Sequence, residues 1–196
     1  LLDREGEKMK KFELTAEYVT NIFGKKLFRI KALVAFGDVE EGDLGGFIEK
    51  ESNLGNDGNA WVSGDARVYG NARVYGNARV YGNAQVSGNA QVSGNAQVYG
   101  DAWVSGDARV SGDAQVSGDL DYATVGGFGS EQRTSTFFIR KDGAIGVICG
   151  CFCGTIEQFR AKVKETHKDS KYAQEYLMIA DLMELHFAGG KEDDER

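Results

Sequence analysis

The chain has 196 residues, with 27 Gly, no Pro and a formal net charge of −7. That length supports one or two domains with a real core. The absence of any apolar run of about 18 residues argues against a membrane helix, and an acidic balance with no basic stripe argues against a nucleic-acid binder.

Taken in order, residues 1–8 (LLDREGEK) read as a leader, with Met9 as the natural start. The segment 9–58 reads as an N-terminal β cap and entry coil. Its stretches KKFELT, KKLFRIKALVAF and GDLGGFIEKESNL have the look of short strands. From Ala60 to Ser117 the pattern Ala-x-Val-[Tyr/Ser]-Gly-[Asn/Asp] runs through ten hexads without one exception in the Ala or Val series. The repeat domain is placed at 59–122. The segment 123–188 reads as an α+β module: RTSTFFIRKDGAIGVICGCF as a β-hairpin turning at Lys141-Asp142-Gly143, then two helices. The first helix starts at a Thr155/Gln158 capping box and carries Ile156, Phe159 and Val163 on one face. The second should align Tyr172, Tyr176, Ile179 and Met183 and stop at Gly189-Gly190. Residues 189–196 read as an acidic tail.

Gly-Asn and Gly-Asp are turn formers, because Gly and Asn tolerate left-handed backbone conformations. A corner every six residues leaves strands of three or four, on which Ala and Val share the inner face and Arg, Gln or Trp points outward. Ala and Val alone can fill only a narrow tube, so the tract reads as a β-solenoid. Its charge is neutral, with four Arg and four Asp in residues 59–118.

The hexads, with Val68 followed by Ala72 and Val74 by Ala78, resemble the hexapeptide-repeat, left-handed parallel β-helix family. The resemblance implies three hexads per coil and a triangular section. It alone supplies the left hand, since ordinary parallel crossovers are right-handed. The flanking phrases LFRIKAL, FGDVEEGDLGGFIEKESNL, TSTFFIRKDG, CGCFCGTIEQFRAKVKETH and KYAQEYL are similar to a group of phage and prophage hexapeptide-repeat proteins of unestablished activity. The expected fold is mostly β: a left-handed parallel β-helix with an N-terminal β cap and a C-terminal α+β module.

Many hexapeptide-repeat proteins are acyl- or acetyltransferases, which use a His near the coils as general base. Here the tract holds no His; the two present are His167 and His186. Acyl transfer is therefore an alternative, and no catalytic residue is assigned. Cys149, Cys151 and Cys153 alternate and would face one way on a strand, with His167 following. Packing is the favoured reading; a thiol/His cluster of Cys149, Cys151 and His167, as metal site or nucleophile, stays open. The corner residues Asp101, Asp107, Asp113 and Asp119 read as corner structure, not calcium ligands, and no metal or cofactor is expected.

Eighteen-residue stacking sorts the outward residues. One side carries Trp61, Arg79, Gln97 and Gln115 beside Tyr81 and Tyr99; a second carries Arg67, Gln85 and Trp103 with Tyr69; the third carries Arg73, Gln91 and Arg109 with Tyr75. Aromatic and Arg residues on a rigid face make hot spots, so Trp61, Arg79, Tyr81, Tyr99 and Trp103 are the candidate binding residues. The expected function is a non-enzymatic binding protein of phage origin that self-associates, with a trimer favoured. It would capture a host protein or small signalling molecule as counter-defence; a structural accessory of the virion is a further alternative. Three crowded cysteines fit a reducing, cytoplasmic setting in the host cell.

Overall fold

Three hexads close one coil. In the computed structural model, which describes residues 10–189, Trp61 pairs in parallel with Arg79, Arg79 with Gln97 and Gln97 with Gln115. The series Arg67–Gln85–Trp103 and Arg73–Gln91–Arg109 do the same on the other two sides. The leader expected at 1–8 and the acidic tail expected beyond Gly189 lie outside the described residues.

The N-terminal strands are β1 (Phe12–Thr20), β2 (Lys26–Ala32) and β3 (Leu44–Ile48). Ten two-residue strands follow, β4 to β13, at Trp61–Val62, Arg67–Val68, Arg73–Val74, Arg79–Val80, Gln85–Val86, Gln91–Val92, Gln97–Val98, Trp103–Val104, Arg109–Val110 and Gln115–Val116. They are shorter than the three or four residues expected. The coil-to-coil ladder nonetheless reaches past them: Arg67 N–H donates to Ala84, Tyr69 to Val86 and Asn71 to Gly88.

Every Ala and Val of the repeat is fully buried, each Val contributing about 1.5–3 kcal/mol of burial. The corners use Gly at positive φ, as at Gly88 (φ +67). Beside them run side-chain ladders in which Asn71 donates to Asn89 and Asn89 to Asp107, and Asn77 to Asn95 and Asn95 to Asp113. An interior rung must both donate and accept, which an amide does; the rung that ends these two ladders only accepts, which suits Asp. Asp107 and Asp113 thus end these two ladders as acceptors.

The cap at the start is continuous with one wall. β3 pairs antiparallel with β2 and parallel with β5, giving a six-stranded sheet β1-β2-β3-β5-β8-β11. The other sides are β13-β10-β7-β4 and β12-β9-β6. Ile48 and Leu54 pair with Val68 and Val74 and add an entry coil, for about four turns.

At the far end stand β14 (Tyr122–Val125), β15 (Ser135–Ile139), β16 (Ile145–Cys149), β17 (Phe152–Thr155), α1 (Ile156–His167) and α2 (Lys171–Gly189). The sheet has four antiparallel strands, β14-β15-β16-β17, where a two-stranded hairpin was expected. The outer two are four residues each and lack the long alternation that marked the inner pair. Alternation sorts its faces. Phe138 and Ile148 join the solenoid interior and close the last coil, whereas Phe137 and Val147 pack under the helices. Arg109 N–H donates to Thr136 Oγ1 at 2.9 Å and Lys141 N–H to the Asp113 carbonyl at 2.9 Å, fastening sheet to coil.

The Thr155/Gln158 capping box forms. On α2 the buried stripe runs Ala173, Tyr176, Ala180, Met183 and Phe187. Tyr172, expected on that face, is exposed; it stands one residue, or about 100° of helix, from Ala173. Arg160 of α1 reaches Asp181 and Glu184 of α2 at 2.7 and 2.8 Å and pins the pair.

Candidate functional site

The outward Tyr slots are tied to the coil that follows. The hydroxyls of Tyr69, Tyr75 and Tyr81 donate to Oε1 of Gln85, Gln91 and Gln97, at 3.4, 3.2 and 3.0 Å. This links the two slots of the hexad that building left free, a coupling sequence reasoning missed. On the first side the rings of Tyr81 and Tyr99 stack, 5.1 Å apart and 6° from parallel. Burial, then the neighbouring Tyr99, pushes the Tyr81 phenol above its ordinary pKa.

Toward the N-terminal end that side is covered. Trp61 is 4 % exposed, edge-on to Phe36 of the loop after β2. Arg79 forms an ion pair with Asp38 of the same loop. The expectation that Trp61 and Arg79 present a contact surface is therefore corrected: the 33–43 connection folds back over the first coils and claims both. Trp103 lies on the second side, 40 % exposed, its Nε1–H donating to Ser87 Oγ at 3.1 Å. The structure thus brings Tyr81 and Tyr99 together and leaves Trp103 on another wall.

The cysteines do not share a strand face. Cys149 pairs across from Phe152 and Ile148 from Cys153, so Gly150-Cys151 is a two-residue hairpin turn. Gly150 takes φ +59 there. The turn puts Cys149 on the helix side of the sheet and Cys153 on the other, 3.9 Å from Ser111 Oγ of the last coil. The packing reading fits half-buried Cys149; Cys151 and Cys153 are exposed, and all three thiols are free.

What the turn does assemble is a cavity of about 510 Å³. One wall is the hairpin tip, Cys149 to Cys153. The floor is α1 and α2, through Phe159, Val163, His167 and Tyr176; the loop after β14 closes the third side with Ser130, Glu131 and Arg133. Cys149, Cys151 and His167, the cluster marked in the sequence, all line it. Four rings run in contact along it: Phe152–Phe159 at 5.5 Å, Phe159–Tyr176 at 5.7 Å and Tyr176–His167 at 5.5 Å between centroids. Tyr176 is buried, and burial raises its phenol pKa; the adjacent Cys149 adds to this and Ser130 opposes it.

The loop sits tightly on that ring. A Cβ at Gly129 (φ +74) would stand 1.9 Å from Tyr176 Cζ, so only Gly fits. Gly129 N–H also donates to Glu175 at 2.8 Å, holding loop to helix. Sequence reasoning assigned Phe159 and Tyr176 to helix packing and passed over Phe152, Arg133 and Lys162. The available signal was the pair of helix aromatics beside a Gly-centred turn. Among the described residues no group of three or more His, Cys, Asp or Glu is placed to hold a metal ion, and none of the helices can cross a membrane.

The family description YdcK Beta solenoid repeat matches residues 60–74, 72–88, 84–100, 90–106, 96–112 and 102–118. The chain is thus similar to a β-solenoid repeat family across its repeat tract; the end modules and the cavity lie outside the match. Among curated proteins none matches the chain.

Proposed function

We propose that the chain is a non-enzymatic binding protein in which a rigid solenoid carries a small-molecule cavity at its C-terminal end. The observation that carries this reading is the cavity: about 510 Å³, walled by hairpin, loop and two helices, with contiguous aromatic rings and a few polar groups at its edge. Binding sites for small molecules have this size and make-up. The alternative of acyl transfer draws only on the repeat type; His167 lines the cavity at the end of α1, and His186 is exposed on α2.

The solenoid is proposed to be the left-handed hexapeptide type. The Val-to-Ala spacing and the three-hexad coil support this. A phage origin rests on the resemblance of the flanking phrases, and a cytoplasmic setting is consistent with three free thiols. Self-association through the Tyr81/Tyr99 side is a second reading, favoured by the parallel stack on a flat wall.

Thermal shifts of the full chain across a small-molecule set test the first reading. Thr166 is exposed and lines the cavity, so Thr166→Trp should fill it and leave the fold intact. Ligands that raise Tm of the parent and not of Thr166→Trp support the reading. Ligands that stabilise both equally, or none at all, count against it.

A further inference from the structure

Resting on the cavity reading, we infer that the ligand is a planar aromatic anion. The chain as a whole is acidic, at −7, but the mouth of this cavity is not. Arg133 and Lys162 line it against a single acid, Glu131. Arg109 adds a third cation, its guanidinium donating to the Gly150 carbonyl at 3.3 Å on the hairpin tip.

The cationic groups are available. Arg133 meets Glu131 at 3.3 Å and Lys162 meets Glu165 at 2.9 Å, but each of these side chains is more than half exposed. Exposed pairs of this kind contribute little, so an incoming anion can exchange for either carboxylate at small cost. Arg also offers the planar fork that suits a carboxylate or phosphate.

The rings set the other half of the ligand. Phe152, Phe159, Tyr176 and His167 form one contiguous wall, and aromatic walls take flat rings by offset or edge contacts with centroids about 4.5–7 Å apart. The same rings could form a cage for a quaternary ammonium ion. The charges at the mouth decide between the two: with neighbours counted on both sides, Arg109, Arg133 and Lys162 stand against Glu131 and Glu165, a positive balance that repels an ammonium and attracts an anion.

The test uses one ring with three charges: 2-naphthoate, 2-naphthylmethanol and a 2-naphthyl-trimethylammonium salt, titrated calorimetrically into the full chain. The inference expects naphthoate to bind at least tenfold more tightly than the alcohol, and the ammonium salt most weakly. Arg133→Gln with Lys162→Gln should erase the preference, so that naphthoate and the alcohol bind this variant alike; both positions are exposed, so the fold should hold. Equal binding of naphthoate and alcohol, or preference for the ammonium salt, overturns the inference while the cavity reading stands. Binding of all three that survives Thr166→Trp, or of none at millimolar concentration, overturns both.

Discussion

Replacing Gly88 and Gly106 separately by Ala isolates what coil stacking contributes to the corners. The two share a backbone conformation, φ +67 and φ +66. A Cβ at Gly88 would lie 2.9 Å from the Gly106 nitrogen and 3.1 Å from its carbonyl oxygen, both backbone atoms of the next coil. A Cβ at Gly106 meets nothing within 4 Å. Gly106→Ala therefore carries only the left-handed strain, about 1–2 kcal/mol. Gly88→Ala carries the same strain plus overpacking against backbone hydrogen-bonded into the ladder, a further ~1–3 kcal/mol. Urea unfolding followed by circular dichroism should show Gly88→Ala as the weaker protein by at least ~1 kcal/mol, with the m-value unchanged. If the two variants lose the same stability, the stacking argument is wrong and φ alone explains the glycines.

Two further outcomes follow from residues already placed. Tyr81→Ala with Tyr99→Ala removes the stack and one Gln97 hydrogen bond, so it should cost ~1–2 kcal/mol of folding stability and weaken self-association measured by sedimentation. Trp61→Ala, by contrast, should cost ~3–5 kcal/mol and leave association of the surviving folded protein intact. Lys11 is buried, with Nζ donating to the Ala60 carbonyl at 2.8 Å. Burial, then the Arg79 charge, lowers its pKa from 10.5 to about 8. Between those values the unfolded chain holds the proton and the folded one does not, so stability should rise with pH across that window. Lys11→Met should abolish the rise; a parent curve that is flat or falling from pH 8 to 10 would contradict the assignment.

The solenoid was readable because its constraint is local and repeated. Val, Ala and Gly-Asn each determine their own place in the hexad, and the eighteen-residue arithmetic then pairs Tyr81 with Tyr99. What the arithmetic could not see was the connection 33–43, whose Phe36 and Asp38 return to cover Trp61 and Arg79. Nothing in the hexads reports on a loop some 25 residues upstream. The cysteines failed for a different reason. Their alternation suggested one strand, yet Gly150 at positive φ turns the chain between them and sends Cys149 and Cys153 to opposite faces. Tyr176 was legible as a helix-facing residue but not as a cavity wall, because its role depends on Gly129, 47 positions earlier in the chain, being too small to displace it.

The eighteen-residue coil also makes the solenoid a ruler. Joining Ala84 directly to Trp103 would delete one full turn and keep the order Ala, x, Val, Ser, Gly unbroken, and duplicating a turn would do the same in reverse. Each step should move the two end modules by one strand spacing, about 4.8 Å, without altering either. The separation between the N-terminal sheet and the cavity is therefore an adjustable length, quantised by the coil and open to change by in-frame loss or gain of three hexads.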